Sequence, residues 1–174
     1  HEGFIFGQTA ACLMLESEEK ARERGADVLG IIPAGTLKLH GSRLTEANED
    51  CEYSTMKSTL ERAEMTIGEI RYINAHATST PMGDNTEVNA IKRLAGEHIK
   101  EIYVNSTKGF IGHGIYSAGV AEAIAVIVQM REGFLHPNAN LKKPVDKEVN
   151  FCGCSTTKAD IKAGLSNSIQ LIAF

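Results

Sequence analysis

The sequence predicts an α/β protein. Segments with helical and strand-like patterning alternate along its 174 residues. One unit also repeats loosely: a short apolar strand, a polar turn holding a histidine, then a helix. It occurs at 70–95 and again at 102–131. The length suits one domain of about 100–200 residues. Apolar residues make up 43% and charged residues 23%, enough apolar surface to offset chain entropy and exclude a disordered chain.

Residues 3–15 (GFIFGQTAACLML) are apolar and bounded by glycine, which predicts a buried strand. Residues 16–24 are charged and helix-favouring, and Gly25 stops them as a C-terminal cap. Residues 28–40 read as a long strand, bent or bulged at Pro33. A polar, acidic loop covers 41–51. Met56, Leu60 and Ala63 form an i, i+4, i+7 stripe that predicts a helix over 53–65. A short strand follows at 72–75. Asp84 reads as an N-cap, with Glu87 three residues on as a variant capping box. The helix it opens carries Val88, Ile91, Leu94 and Ala95 on one face. Another short strand lies at 102–105.

The helix predicted at 115–131 is apolar nearly all round, so it should be buried on both sides within a larger layered body. Gly133, Pro137 and Asn138 end it. Short closing strands are expected at 149–152 and 163–165.

Charge and motif content narrow the function. The net charge is −4 with no basic stripe, which argues against nucleic acid as a partner. The longest apolar stretch, 118–130, contains Glu122 and Gln129; it is too short and polar to span a bilayer. The chain begins without Met and shows no signal peptide, so it reads as a fragment or processed chain. Its cysteines, at 12, 51, 152 and 154, lack zinc or redox spacing. Free thiols in a reducing cytoplasm follow from that. No HExxH, P-loop or Gly-x-Gly-x-x-Gly occurs, so neither a catalytic metal nor a nucleotide cofactor is expected.

Two turns can carry chemistry. In the first, NAHATSTPMGD at 74–84, His76 follows a strand end and can donate to a polar ligand. Thr78 and Thr80 can bind amide or phosphate groups. The same residues also suit a plain turn and helix cap. In the second, NSTKGFIGHG at 105–114, glycines flank His113 and allow close backbone approach to a ligand. Lys108, a fixed cation nearby, would help keep His113 neutral. A neutral imidazole can donate to a developing oxyanion. The alternative is an exposed lysine and a histidine bonded to backbone. Glu122 interrupts the apolar helix and, if buried, needs a partner such as Lys108. His1, His40, His98 and His136 read as turn residues.

Taken together, these turns resemble known landmarks. NAHATSTPMGD resembles the N-A-H-G-T-S-T-P-x-G-D segment of β-ketoacyl-acyl carrier protein synthases. STKGFIGH, at 106–113, resembles that family's S-T-K-x-x-x-G-H. AGVAEAI at 118–124, HPNANL at 136–141 and LSNS at 165–168 are similar to further landmarks in the same order.

The resemblance implies a thiolase-like fold, two α/β halves forming an α-β-α-β-α body. Residues 1–27 would then be the end of the N-terminal half. Residues 28–174 would be the C-terminal half, truncated or altered after Ser168. It also implies decarboxylative condensation of malonyl-carrier protein with an acyl thioester. His76 and His113 would stabilise enolate and oxyanion, and Lys108 would support His113, with Glu122 supporting in turn. Thr78 and Thr80 would contact the phosphopantetheine arm, which arrives on the carrier protein, so no bound cofactor is implied. Partners implied are acyl carrier protein, the missing N-terminal half, and a second copy in a homodimer.

Three departures bear on this. The family's nucleophilic cysteine lies upstream, and none of the four cysteines matches its position. Ala77 replaces a glycine. Ile169–Phe174 stands where the family has a glycine- and phenylalanine-rich loop and final strand. A narrower likeness is to free-standing polyketide-pathway ketosynthases, some of which lack the cysteine and only decarboxylate. A non-catalytic partner subunit or truncated relic is the third reading.

Overall fold

A computed structural model provides the structure and describes residues 3, 5–41 and 47–169. His1, the middle of the acidic loop at 42–46 and the tail from 170 onward lie outside the described residues.

The helices are α1 (Glu18–Glu23), α2 (Glu49–Arg62), α3 (Pro81–Ala95), α4 (Lys108–Ile111) and α5 (Ala118–Glu132). The strands are β1 (Tyr72–Asn74), β2 (Tyr103–Asn105), β3 (Phe134–Leu135), β4 (Asn150–Phe151), β5 (Thr157–Lys158) and β6 (Gly164–Ser166). Four strands form a parallel sheet in the order β4-β2-β1-β6. Ile73 pairs with Val104 on one side and Leu165 on the other, so β1 and β2 are central. β3 and β5 form a separate antiparallel pair.

Strand alternation divides the core in two. Ile73, Val104 and Leu165 face α2 and α3, packing with Met56, Leu60, Val88 and Ile91. Tyr72 and Cys152 face the other way, against Val126 of α5, Leu135 and Ile161. Each such side chain, fully buried, stabilises by about 1.5–3 kcal/mol. The result is helices on both faces of a parallel sheet, the α/β class expected. No helix among the described residues is long and apolar enough to cross a membrane.

Several elements differ from expectation. The segment 3–15 is not a buried strand. Its ladder contact is one parallel bridge, Phe6 to His113, and Ile5, Met14 and Leu15 are exposed. Residues 28–40 are assigned to no strand, and Leu37 and Leu39 are exposed. Apolar patterning marked both segments, but a strand needs a neighbour, and the described sheet supplies none beyond that bridge.

Helix α2 starts at Glu49 rather than 53, because the Asn48 side chain accepts from Cys51 N at 2.8 Å and caps it there. Asp84 is not an N-cap. Thr80 takes that position and Pro81 opens α3, where its missing N–H costs nothing.

Residues 115–117 form a 3-10 turn, and α5 begins at Ala118. Within this chain alone, Ala118, Glu122, Val126 and Gln129 form the buried stripe of α5, while Val120 and Val128 are exposed. The sheet covers one side only. The closing strands appear as β4 and β6. The β3–β5 pair was not expected, since two residues per strand carry no period to read.

Candidate active site

The site lies at the carboxyl ends of β1 and β2, the edge where parallel sheets place ligands. The β1 turn is fixed by a buried carboxylate. Glu87, on the sheet-facing side of α3, accepts His76 N at 2.7 Å and Ala77 N at 2.8 Å. Its Oε1 also accepts Asn167 Nδ2 at 2.7 Å, tying in the end of β6. Burial pushes the Glu87 carboxyl up, and these bonds, with the Lys108 charge, hold it back. Asp84 serves the same turn by accepting Ser79 N at 3.1 Å. Ala77 and Ser79 both have positive φ, +32° and +68°. The Thr78 and Thr80 hydroxyls lie 3.1 Å apart and bond each other.

The β2 turn is held from beneath. Asn74 Oδ1 accepts both Thr107 N (3.2 Å) and Thr107 Oγ1 (2.9 Å). His136 Nε2 lies 3.2 Å from the same hydroxyl. Asn105 bonds Tyr72, Gln129 and the His136 carbonyl. Lys108, at the start of α4, ion-pairs with Glu122 of α5, and both are buried. Burial pushes the Glu122 carboxyl up while Lys108 holds it down.

His113 follows α4. Its N–H donates to Ile5 O at 2.8 Å, and its carbonyl accepts Gly7 N at 3.0 Å. A Cβ on Gly7 would sit 2.2 Å from Ile111 O, and one on Gly112 2.8 Å from Gly7 Cα. The glycine before His113 thus admits the chain's own backbone, where the sequence suggested a ligand. Gly114 instead makes room for side chains: a Cβ there would lie 2.7 Å from Ser117 Oγ and 2.8 Å from Thr9 Cβ.

The two imidazoles meet edge to face, with ring centroids 5.2 Å apart and planes at 84°. His76 Nδ1 accepts Ile169 N at 3.2 Å, and His113 Nδ1 accepts Ile115 N at 3.2 Å. A neutral ring accepting on Nδ1 carries its proton on Nε2. Burial, then the Lys108 charge, then His113 push His76 down to about 2. Burial and Lys108 lower His113 as well. Both rings are therefore neutral Nε2–H donors near pH 7. Ile115 holds φ at +53°, uncommon for a β-branched residue, and its N–H is the one that caps His113.

Of the residues singled out from sequence, His76, His113, Lys108 and Glu122 converge here. Thr78 and Thr80 sit on the same turn as His76, half-buried. Glu87 was misread as part of a capping box. The available signal was its place in the 84, 87, 88, 91 buried stripe of α3, where a carboxylate among apolar residues needs a purpose. Cys152 is buried, and burial pushes its thiol up to about 11, so it is not a thiolate at neutral pH. Cys12 and Cys154 are exposed. An open groove of about 630 Å³ beside Lys38, Tyr53 and Arg93 contains none of the site residues.

Helices over both faces of a parallel sheet, with paired histidine turns at its carboxyl edge, match the thiolase-like α/β fold. Residues 34–142 match the family model described as "Beta-ketoacyl synthase, C-terminal domain". The chain belongs to the β-ketoacyl synthase family. It is 33% identical over 168 residues to the polyketide biosynthesis malonyl-ACP decarboxylase PksF of Bacillus subtilis, covering 97% of this chain and 40% of that protein. It is 39% identical over 174 residues to the chloroplastic 3-oxoacyl-[acyl-carrier-protein] synthase II of Arabidopsis thaliana, covering 96% of this chain and 31% of that one. A type II polyketide ketosynthase, solved with its acyl-carrier protein and bound to a hexaketide, superposes with a TM-score of 0.80 at 27% identity. That match covers 87% of this chain and 38% of the other. The chain thus spans less than half the length of these relatives.

Proposed function

We propose that this chain is the C-terminal portion of a β-ketoacyl-acyl carrier protein synthase. The enzyme that carries it condenses malonyl-carrier protein with an acyl thioester, releasing CO2. One observation carries the reading: two neutral imidazoles, each capped on Nδ1, stand 5.2 Å apart at the sheet edge. Loss of CO2 from a malonyl thioester places negative charge on the thioester oxygen. Two Nε2–H donors stabilise that charge without needing to be charged themselves.

Burial, with the Lys108 charge, keeps both rings neutral, and Glu122 keeps Lys108 in place. Thr78 and Thr80 bond the amides of the phosphopantetheine arm, which comes with the carrier protein; no resident cofactor takes part. The nucleophilic cysteine comes from the N-terminal half, since no described cysteine lies at these turns. The isolated 174-residue chain is accordingly inactive. In its complete form the enzyme is a cytoplasmic homodimer.

A second reading rests on the same donors. Decarboxylation alone needs the two histidines and no thiolate, and the resemblance to PksF, a malonyl-ACP decarboxylase, favours it. The test is mass spectrometry of the carrier arm after incubation with the enzyme that carries this chain. A β-ketoacyl product supports the synthase, and acetyl-carrier protein alone supports the decarboxylase. Unchanged decarboxylation by His76→Ala and His113→Ala enzymes would refute both.

A further inference from the structure

We propose that the backbone of Gly3 and of residues 5–7 is a strap that sets the separation of the two histidine turns, with Gly7 as its positioning residue. Three hydrogen bonds tie it across both turns. Gly3 N donates to Ser79 O at 3.1 Å, on the His76 turn. On the other turn, Ile5 O accepts His113 N and Gly7 N donates to His113 O, at 2.8 and 3.0 Å. The same short stretch therefore grips the backbone of both loops.

All three bonds run from backbone to backbone. Ile5 and Phe6 are 78% and 74% exposed. The grip depends on contact between backbones. Gly7 lies directly against Ile111 and Gly112, where an added Cβ would fall 2.2 Å from a carbonyl oxygen. Something must move if Gly7 gains a methyl, and the nearest backbone is that of the turn holding His113. Ser117 Oγ, donating to Thr9 O at 2.7 Å, extends the seam by one more bond.

Sequence reading assigns 1–27 to the other half of the fold, so the strap makes His113 depend on residues from that half. His76 depends on it less, because Glu87 already holds its backbone N–H.

The inference rests on the proposed decarboxylation for its kinetic arm only. The experiment compares Gly7→Ala with the unaltered enzyme, and with Gln8→Ala, an exposed neighbour, as control. Two readouts are taken: imidazole 15N shifts of both histidines, and kcat against KM for malonyl-carrier protein decarboxylation. Gly7→Ala should shift the His113 ring signals, leave those of His76 nearly in place, and lower kcat up to about 10²-fold with little change in KM. Gln8→Ala should change neither.

Ser117→Ala leaves the glycine contact intact, so it serves where Gly7→Ala fails to fold. It should produce a smaller shift of the same His113 signals. Unmoved His113 signals in both variants overturn the strap. If the unaltered enzyme does not decarboxylate, the functional reading fails, and the 15N arm still decides the strap.

Discussion

His76 and His113 each accept a backbone N–H on Nδ1 at 3.2 Å, one from Ile169 and the other from Ile115. The chain thereby assigns the tautomer of both rings with backbone atoms that no side-chain substitution removes. The lysine field and the carboxylates around the turns can be substituted, and they yield distinct predictions.

Lys108→Met removes the cation that lowers both histidines. Burial, the larger cause, stays, so both rings rise toward their ordinary value without reaching it. The acid limb of the pH–rate profile should move to higher pH. The variant also leaves Glu122 buried without its partner, costing about 3–5 kcal/mol. Lys108→Met/Glu122→Leu should recover much of that stability while the shifted pH profile stays. A thermal melt and a pH–rate series separate the two effects.

Glu87→Gln replaces an oxygen that accepts a turn N–H with an amide group that can only donate. The loss should be about 1–3 kcal/mol. Activity should fall more than the melting temperature suggests, because a single oxygen no longer accepts both His76 N and Ala77 N and the turn loses one of its two anchors. Urea denaturation beside kcat measurement checks this.

Glu52 is buried on α2, and neither of its carboxyl oxygens has a hydrogen-bond partner among the described residues. Burial, then the charges of Glu87 and Glu49, push it up to about 8. The fold keeps this proton between pH 4.5 and 8 while the unfolded chain releases it. Stability should therefore fall as pH rises through that window and level off above it. Glu52→Gln should remove this slope, which amounts to roughly 4–5 kcal/mol by pH 8. Denaturation midpoints of both proteins across pH 5–9 test it.

Ala77 holds φ at +32°, where a Cβ is disfavoured and glycine is not. Ala77→Gly should relieve that strain, offset in part by greater entropy of the unfolded chain. The net gain should be about 0.5–1 kcal/mol, with activity retained. Calorimetry would show a small upward shift of the melting temperature.

Much of the site was legible in the sequence because its residues cluster in two continuous turns. Lys108 and His113 stand beside glycine or hydroxyl residues, and His76 lies two residues before Thr78, just past a strand end. Glu122 was visible as a charge inside an apolar helix. What was not legible depends on contacts distant in sequence. Glu87 reaches back to its own turn and across to Asn167. Glycines read as room for a ligand instead admit residues 5–9. The segments 3–15 and 28–40 have strand-like patterning, yet pairing depends on a neighbour that patterning cannot supply.

The most direct test of the account is the protonation of the two rings. In the enzyme carrying this chain, with 15N-labelled histidine assigned through His76→Gln and His113→Gln, spectra would be recorded from pH 5 to 8. Both rings should remain neutral and protonated on Nε2 through the neutral range, with His76 unchanged down to pH 5. A ring titrating near pH 6.5, or carrying its proton on Nδ1, would contradict the proposal that two neutral donors meet the developing negative charge.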